Sequence, residues 1–138
     1  RNTKMKSRFD DTYMRMAEVW ASNSHSERLK VGCLVVKNGM IISDGYNGTP
    51  KGFDNVCENA EGHTLAHVLH AEANAITKLA KSTQTSVGAH MYTTVSPCVE
   101  CAKLIIQSEI SRVIYRDLYR DEAGIELLKA AKIQVEKI

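Results

Sequence analysis

Val31-Gly32-Cys33-Leu34-Val35-Val36-Lys37-Asn38-Gly39-Met40-Ile41-Ile42-Ser43-Asp44-Gly45-Tyr46 holds two short apolar runs joined by an Asn-Gly pair. Val31 to Val36 reads as one strand and Met40 to about Tyr46 as its partner. Asn and Gly tolerate the positive φ angles of a two-residue hairpin turn, whose twist suits paired strands, so the two runs should form a β-hairpin.

Upstream, Phe9 to about Ser22 carries Met14, Met16, Ala17, Val19 and Trp20 at helical spacing, and Ser22, Asn23 and Ser24 end the pattern. Downstream, Asn47 to about His67 has no clear period and is rich in Gly, Asn, Asp and Glu. Long irregular loops of this kind are often functional. Then come a helix over His70 to Ala80, a strand over Ala89 to Thr94 and a helix from about Cys98 to Ser108. Pro97 suits the start of that helix, where its missing N–H costs nothing. A short strand over Arg112 to Tyr115, a helix over Glu122 to Ala131 and a last strand over Ile133 to Glu136 complete the chain. A hairpin followed by alternating helices and strands predicts an α/β fold, a mixed sheet with helices on both faces. Functional side chains are expected where strands hand over to helices. The 138 residues suit one domain with a real core, and a single domain over residues 1–138 is expected.

Formal net charge is only +2, which argues against a nucleic-acid binder with a strongly basic face but leaves room for a small anionic substrate. No apolar run approaches the roughly 18 residues of a membrane span. The polar start Arg1-Asn2-Thr3-Lys4 lacks the apolar core of a signal peptide. A cytoplasmic location with no membrane partner is the expectation, and a disulfide framework for Cys33, Cys57, Cys98 and Cys101 is not.

The chemistry-bearing segments are His70-Ala71-Glu72 and Pro97-Cys98-Val99-Glu100-Cys101. They match the H-x-E and P-C-x-x-C pattern of zinc deaminases. Cys98 and Cys101 are three apart, so at a helix start both sulfurs can face one point, and the positive end of the helix dipole favours thiolates there. With His70 they make a soft, three-donor zinc set. Three protein ligands leave a fourth position open, the mark of a catalytic rather than a structural site. Glu72, two residues past His70, would lie on the opposite face in mid-helix. In the first turn it can converge on the same pocket and act as a proton carrier. Two alternatives remain open on spacing alone: a redox Cys-x-x-Cys pair, and a closed structural site with Cys57, His63 or His67 as fourth ligand.

These motifs, with Val31-Gly32, Gly45-Tyr46-Asn47-Gly48-Thr49-Pro50, Gly52-Phe53, His70-Ala71-Glu72-Ala73-Asn74-Ala75-Ile76, Ser96-Pro97-Cys98-Val99-Glu100-Cys101 and Tyr119, resemble the deoxycytidylate (dCMP) deaminases of the cytidine deaminase superfamily. The resemblance runs in order over about Phe9 to Val135. It implies a three-layer cytidine deaminase-like fold with a five-stranded mixed sheet between helices, and assembly as a homohexamer. It implies a zinc-dependent conversion of dCMP to dUMP and ammonia. Asn47 would hold the sugar hydroxyl, the Ala71 backbone N–H the base carbonyl, and Tyr119 would border the nucleotide. Ser24, Arg28 and Lys30, just before the first strand, are the candidates for the phosphate. dCTP and dTTP are effectors in some members.

Some positions depart from the family. Cys33 stands where relatives often have Ala and reads as a small buried residue. A second, structural zinc from His25, Cys57, His63 and His67 does not fit the spacing known from relatives, and His90 reads as an ordinary strand residue. A tRNA adenosine deaminase would need a basic face. A non-catalytic zinc module would not need Glu72.

Overall fold

The computed structural model describes residues 7–138, so the polar segment Arg1 to Lys4 lies outside the described residues. Helix α1 spans Arg8–Ala21, strands β1 and β2 span Gly32–Lys37 and Met40–Tyr46, and α2 spans Ala71–Leu79. They are followed by β3 over His90–Val95, α3 over Val99–Gln107, β4 over Arg112–Asp117, α4 over Ala123–Ala130 and β5 over Gln134–Lys137. The expected elements are all present, with ends displaced by a residue or two. His70 and Cys98 sit just outside their helices as N-caps, in extended conformation.

Local chemistry explains the first elements. The Ser7 hydroxyl accepts the N–H of Phe9 at 3.0 Å, and the Asp10 carboxylate accepts the N–H of Ser7 at 3.1 Å. This reciprocal capping box starts α1. Asn38 and Gly39 take φ values of 52° and 76°, the two positive angles that the hairpin turn requires. The β1–β2 register shifts between Val35 and Val36.

The sheet order is β2-β1-β3-β4-β5. β1 runs antiparallel to both β2 and β3, whereas β3, β4 and β5 are parallel, so the sheet is mixed. Alternating side chains divide its core in two. Leu34, Val36, Tyr92 and Ile114 pack with Met14 and Ala17 of α1 on one face. Cys33, Val35, Met91 and Val113 pack on the other with Ala71, Ala75, Ala102, Ile105 and Leu128 of α2, α3 and α4. The result is a three-layer α/β fold with a five-stranded mixed sheet between helices. Among the described residues no helix is long and apolar enough to cross a membrane.

Candidate metal centre and substrate cleft

Three segments converge at one end of the sheet: the carboxyl end of β3, the chain leaving β4, and the start of α2. Two glycines permit the approach. A Cβ on Gly45 of β2 would lie 2.4 Å from the carbonyl oxygen of Ala71, and one on Gly124 of α4 would lie 2.1 Å from the carbonyl oxygen of Pro97. Only a residue without a side chain lets β2 and α4 seat the two helix starts so closely.

His70 caps α2, Cys98 caps α3, and Cys101 lies in the first turn of α3. The Nδ1 atom of His70 is 3.4 Å from the sulfur of Cys98 and 3.4 Å from that of Cys101. One imidazole and two thiols therefore place their donor atoms within 4.8 Å of one another. Tetrahedral zinc, with bonds near 2.0 Å to nitrogen and 2.3 Å to sulfur, sets its nitrogen and sulfur ligands about 3.5 Å apart. Both nitrogen–sulfur distances fit such an ion. The electrostatics agree. Hydrogen bonds from the Cys101 thiol and from His70 hold the Cys98 thiol down at about 3, and the same sulfur contact pushes Cys101 up. Among the described residues no fourth His, Cys, Asp or Glu joins the group, and no second such group is formed. Cys57 is buried with its thiol directed to the carbonyl of Asn55 at 3.6 Å. All four cysteines are free, and Cys33 lies in the apolar core as expected.

Glu72 occupies the first turn of α2 and retains only 4% of its surface. It is outside the donor group but lines the same cleft as His70 and Cys98. Burial pushes its carboxyl up to about 7, against the lowering effect of its own N–H and the His70 charge. The cleft has a volume of about 550 Å³. Ala71, which also lines it, is the first residue of α2, so its N–H has no acceptor within the helix.

Asn47 lines the cleft while clamping it. Its amide oxygen accepts the N–H of Val31 at 2.9 Å, and its amide nitrogen donates to the carbonyl of Leu29 at 2.8 Å. One N–H and one lone pair remain for a ligand. Tyr119 borders the cleft, its own N–H donating to the Ser96 hydroxyl at 2.7 Å.

The three phosphate candidates part company. Arg28 is exposed and lines the cleft. Ser24 is buried and does not line it. Its hydroxyl donates to the backbone carbonyl of Asn47 at 2.8 Å and accepts the N–H of Ser26 at 3.1 Å. Lys30 is exposed and also stands outside the lining. Sequence reasoning missed Ser26 and Arg120, which do line the cleft. The Arg120 guanidinium lies 5.5 Å over the Tyr119 ring. Its place beside Tyr119 in the chain was the available signal. For Ser26 it was its place between Ser24 and Arg28.

Residues 7–117 match the family described as the cytidine and deoxycytidylate deaminase zinc-binding region. The deoxycytidylate deaminase of Saccharomyces cerevisiae is 33% identical over 96% of this chain, which spans only 46% of that longer protein. The deoxycytidylate deaminase of Enterobacteria phage T4 is 30% identical, with 92% of each chain covered. Among solved structures, the dCMP deaminase of cyanophage S-TIM5, crystallised with dCMP and dUMP, superimposes with a TM-score of 0.94. It is 44% identical, covering 97% of this chain and 99% of that one.

Proposed function

This chain belongs to the cytidine and deoxycytidylate deaminase zinc-binding family, and from that premise we propose that it hydrolyses dCMP to dUMP and ammonia. The observation that carries the proposal is the buried Glu72 carboxyl beside the His70, Cys98 and Cys101 donor set, at one cleft.

His70, Cys98 and Cys101 hold the zinc. When bound, zinc supplies the Lewis acidity that makes water a competent nucleophile near neutral pH. The protein's own groups do the rest. The Ala71 N–H binds the base carbonyl, and the free N–H and lone pair of the Asn47 amide hold the sugar hydroxyl. Tyr119 borders the nucleotide. Water adds at C4 of the cytosine, and a Glu72 carboxyl oxygen takes its proton and delivers it to N3. Glu72 then takes the proton of the new C4 hydroxyl and passes it to the amino nitrogen, which leaves as ammonia as the C4–N bond breaks and the C4 carbonyl forms. The buried Glu72 carboxyl lines the cleft beside the donor set, where it can carry protons between water, N3 and the amino nitrogen.

Arg28 is the phosphate contact in this scheme, and Arg120 from the neighbouring wall supplies a second charge-assisted donor. A non-catalytic zinc module has no use for a buried carboxyl beside the ion. We take the chain as one deaminase domain over residues 1–138, cytoplasmic, assembled as a homohexamer and open to dCTP and dTTP as effectors. The test is to incubate the zinc-loaded protein with dCMP, deoxycytidine, cytidine and adenine nucleotides and follow ammonia. dCMP is expected to give the highest kcat/KM. Equal rates on dCMP and deoxycytidine would remove the monophosphate assignment.

A further inference from the structure

We propose that Glu58 is a positioning residue for substrate recognition, holding the backbone of residues 26–28 so that Arg28 is presented to the cleft. Glu58 lies in the long irregular connection between β2 and α2, far along the chain from its partners. One carboxylate oxygen, Oε2, accepts the Ser26 hydroxyl at 2.9 Å, the Glu27 N–H at 3.1 Å and the Arg28 N–H at 3.2 Å. The proposal rests on the reading of Arg28 as the phosphate contact.

The segment from Ser22 to Val31 is neither helix nor strand, so it has no ladder of its own to fix it. Side chains from the second loop fix it at two points. Asn47 holds the Leu29 and Val31 end, as described above. Glu58 holds the other end, and Arg28 stands between the two clamps. A run of hydrogen bonds links them, from Glu58 to Ser26, from Ser26 to the Ser24 hydroxyl, and from Ser24 to the Asn47 carbonyl. An arginine on an untethered loop loses much of its orienting value, because ordering the loop opposes binding.

The charge balance also needs this arrangement. A carboxylate near a phosphate site repels the ligand unless donors answer its charge, and here three do. Desolvation pushes the Glu58 carboxyl up, yet the Ser26 hydroxyl and the N–H groups of Arg28 and Glu27 outweigh it and hold the group below its usual range. Glu58 does not line the cleft itself. Its influence on the ligand passes through Arg28.

The test uses the full zinc-loaded protein with three substitutions. Glu58→Ala removes the acceptor, Glu58→Asp keeps the charge but shortens the reach, and Glu58→Gln keeps an acceptor oxygen at the same reach. Glu58→Ala and Glu58→Asp are expected to raise KM for dCMP about tenfold, as for loss of hydrogen bonds to a charged group. Their kcat should stay within about twofold of the parent, and Glu58→Gln should recover most of the loss. Inhibition by dUMP should weaken by the same factor as KM, and inhibition by deoxyuridine, which has no phosphate, should not change. If Glu58→Ala does not fold, Glu58→Asp against Glu58→Gln makes the same comparison. An unchanged KM in Glu58→Asp, or an equal loss with deoxyuridine, overturns the proposal. Arg28→Ala separates the two claims. A wild-type KM in that variant removes the phosphate reading and this role with it. A raised KM in Arg28→Ala beside an unimpaired Glu58→Asp removes the Glu58 role alone. Because Glu58 acts through Arg28, the Arg28→Ala/Glu58→Ala pair should lose no more than Arg28→Ala.

Discussion

Asp10 and Glu72 are carboxylates buried to 1% and 4% exposure at opposite ends of the sheet, on opposite faces, and they have been given opposite surroundings. Asp10 is surrounded by donors. Arg112 reaches it at 2.9 and 3.2 Å, the Tyr92 hydroxyl at 2.5 Å and the Ser7 N–H at 3.1 Å. Burial pushes its carboxyl up, but these partners hold it below the usual carboxylate range. Glu136 completes the group by accepting from Arg112 at 2.8 and 3.0 Å. His90, at the start of β3, lies beside it, and burial there lowers its pKa. Around Glu72 no other side chain among the described residues donates to the carboxyl, and burial carries it to about 7. Burial alone therefore does not make a carboxylate structural or reactive. Its donors decide. A fully partnered carboxylate fixes α1 against β3 and β4, whereas one with no side-chain donor keeps its proton mobile near neutral pH.

The sharpest way to break this contrast is to neutralise Asp10. Asp10→Asn leaves the buried Arg112 facing one carboxylate instead of two, and should lower unfolding free energy by about 1.5–3 kcal/mol. Urea denaturation of the zinc-loaded protein measures it, and turnover per folded molecule should stay close to the parent's. A loss under about 1 kcal/mol would mean that the network around Asp10 contributes little.

A smaller effect concerns acid. The folded pKa values of Asp10 and Glu136 are both held low. Stability from them is present above the ordinary carboxylate range and is lost as pH falls through the folded values, below about pH 4. Asp10→Asn should flatten that acid limb, and an unaltered slope would count against the assignment.

The smallest change in stability is expected at the other carboxylate. Glu72→Gln removes a buried charge that no other side chain hydrogen-bonds, so its unfolding free energy at pH 8 should lie within about 1 kcal/mol of the parent's, or above it. A drop like that of Asp10→Asn would show that Glu72 has partners the contrast denies it.

The same division separates what was legible in the sequence. The hairpin was legible because Asn38-Gly39 encodes its turn in two adjacent residues. The metal corner was legible because each ligand segment is contiguous and sits at a helix start, where short spacings fix direction. The donors to Asp10 were not, because Arg112 lies 102 residues away and no period connects them. Glu58 was equally silent, since it reaches Ser26 across 32 residues. Ser24 and Lys30 show the converse case. Closeness to Arg28 in sequence suggested a shared role, but a loop changes direction at each residue, and the Ser24 hydroxyl is taken up by the backbone of Asn47 and Ser26.

Ammonia release from dCMP by zinc-loaded Glu72→Gln tests the central claim most directly, with zinc content measured on the same sample. Because Glu72 is not a ligand but carries protons, the variant should keep the parent's zinc and its fold and lose at least about 10²–10⁴-fold in kcat. Turnover within tenfold of the parent, or loss of zinc from a folded variant, would contradict it.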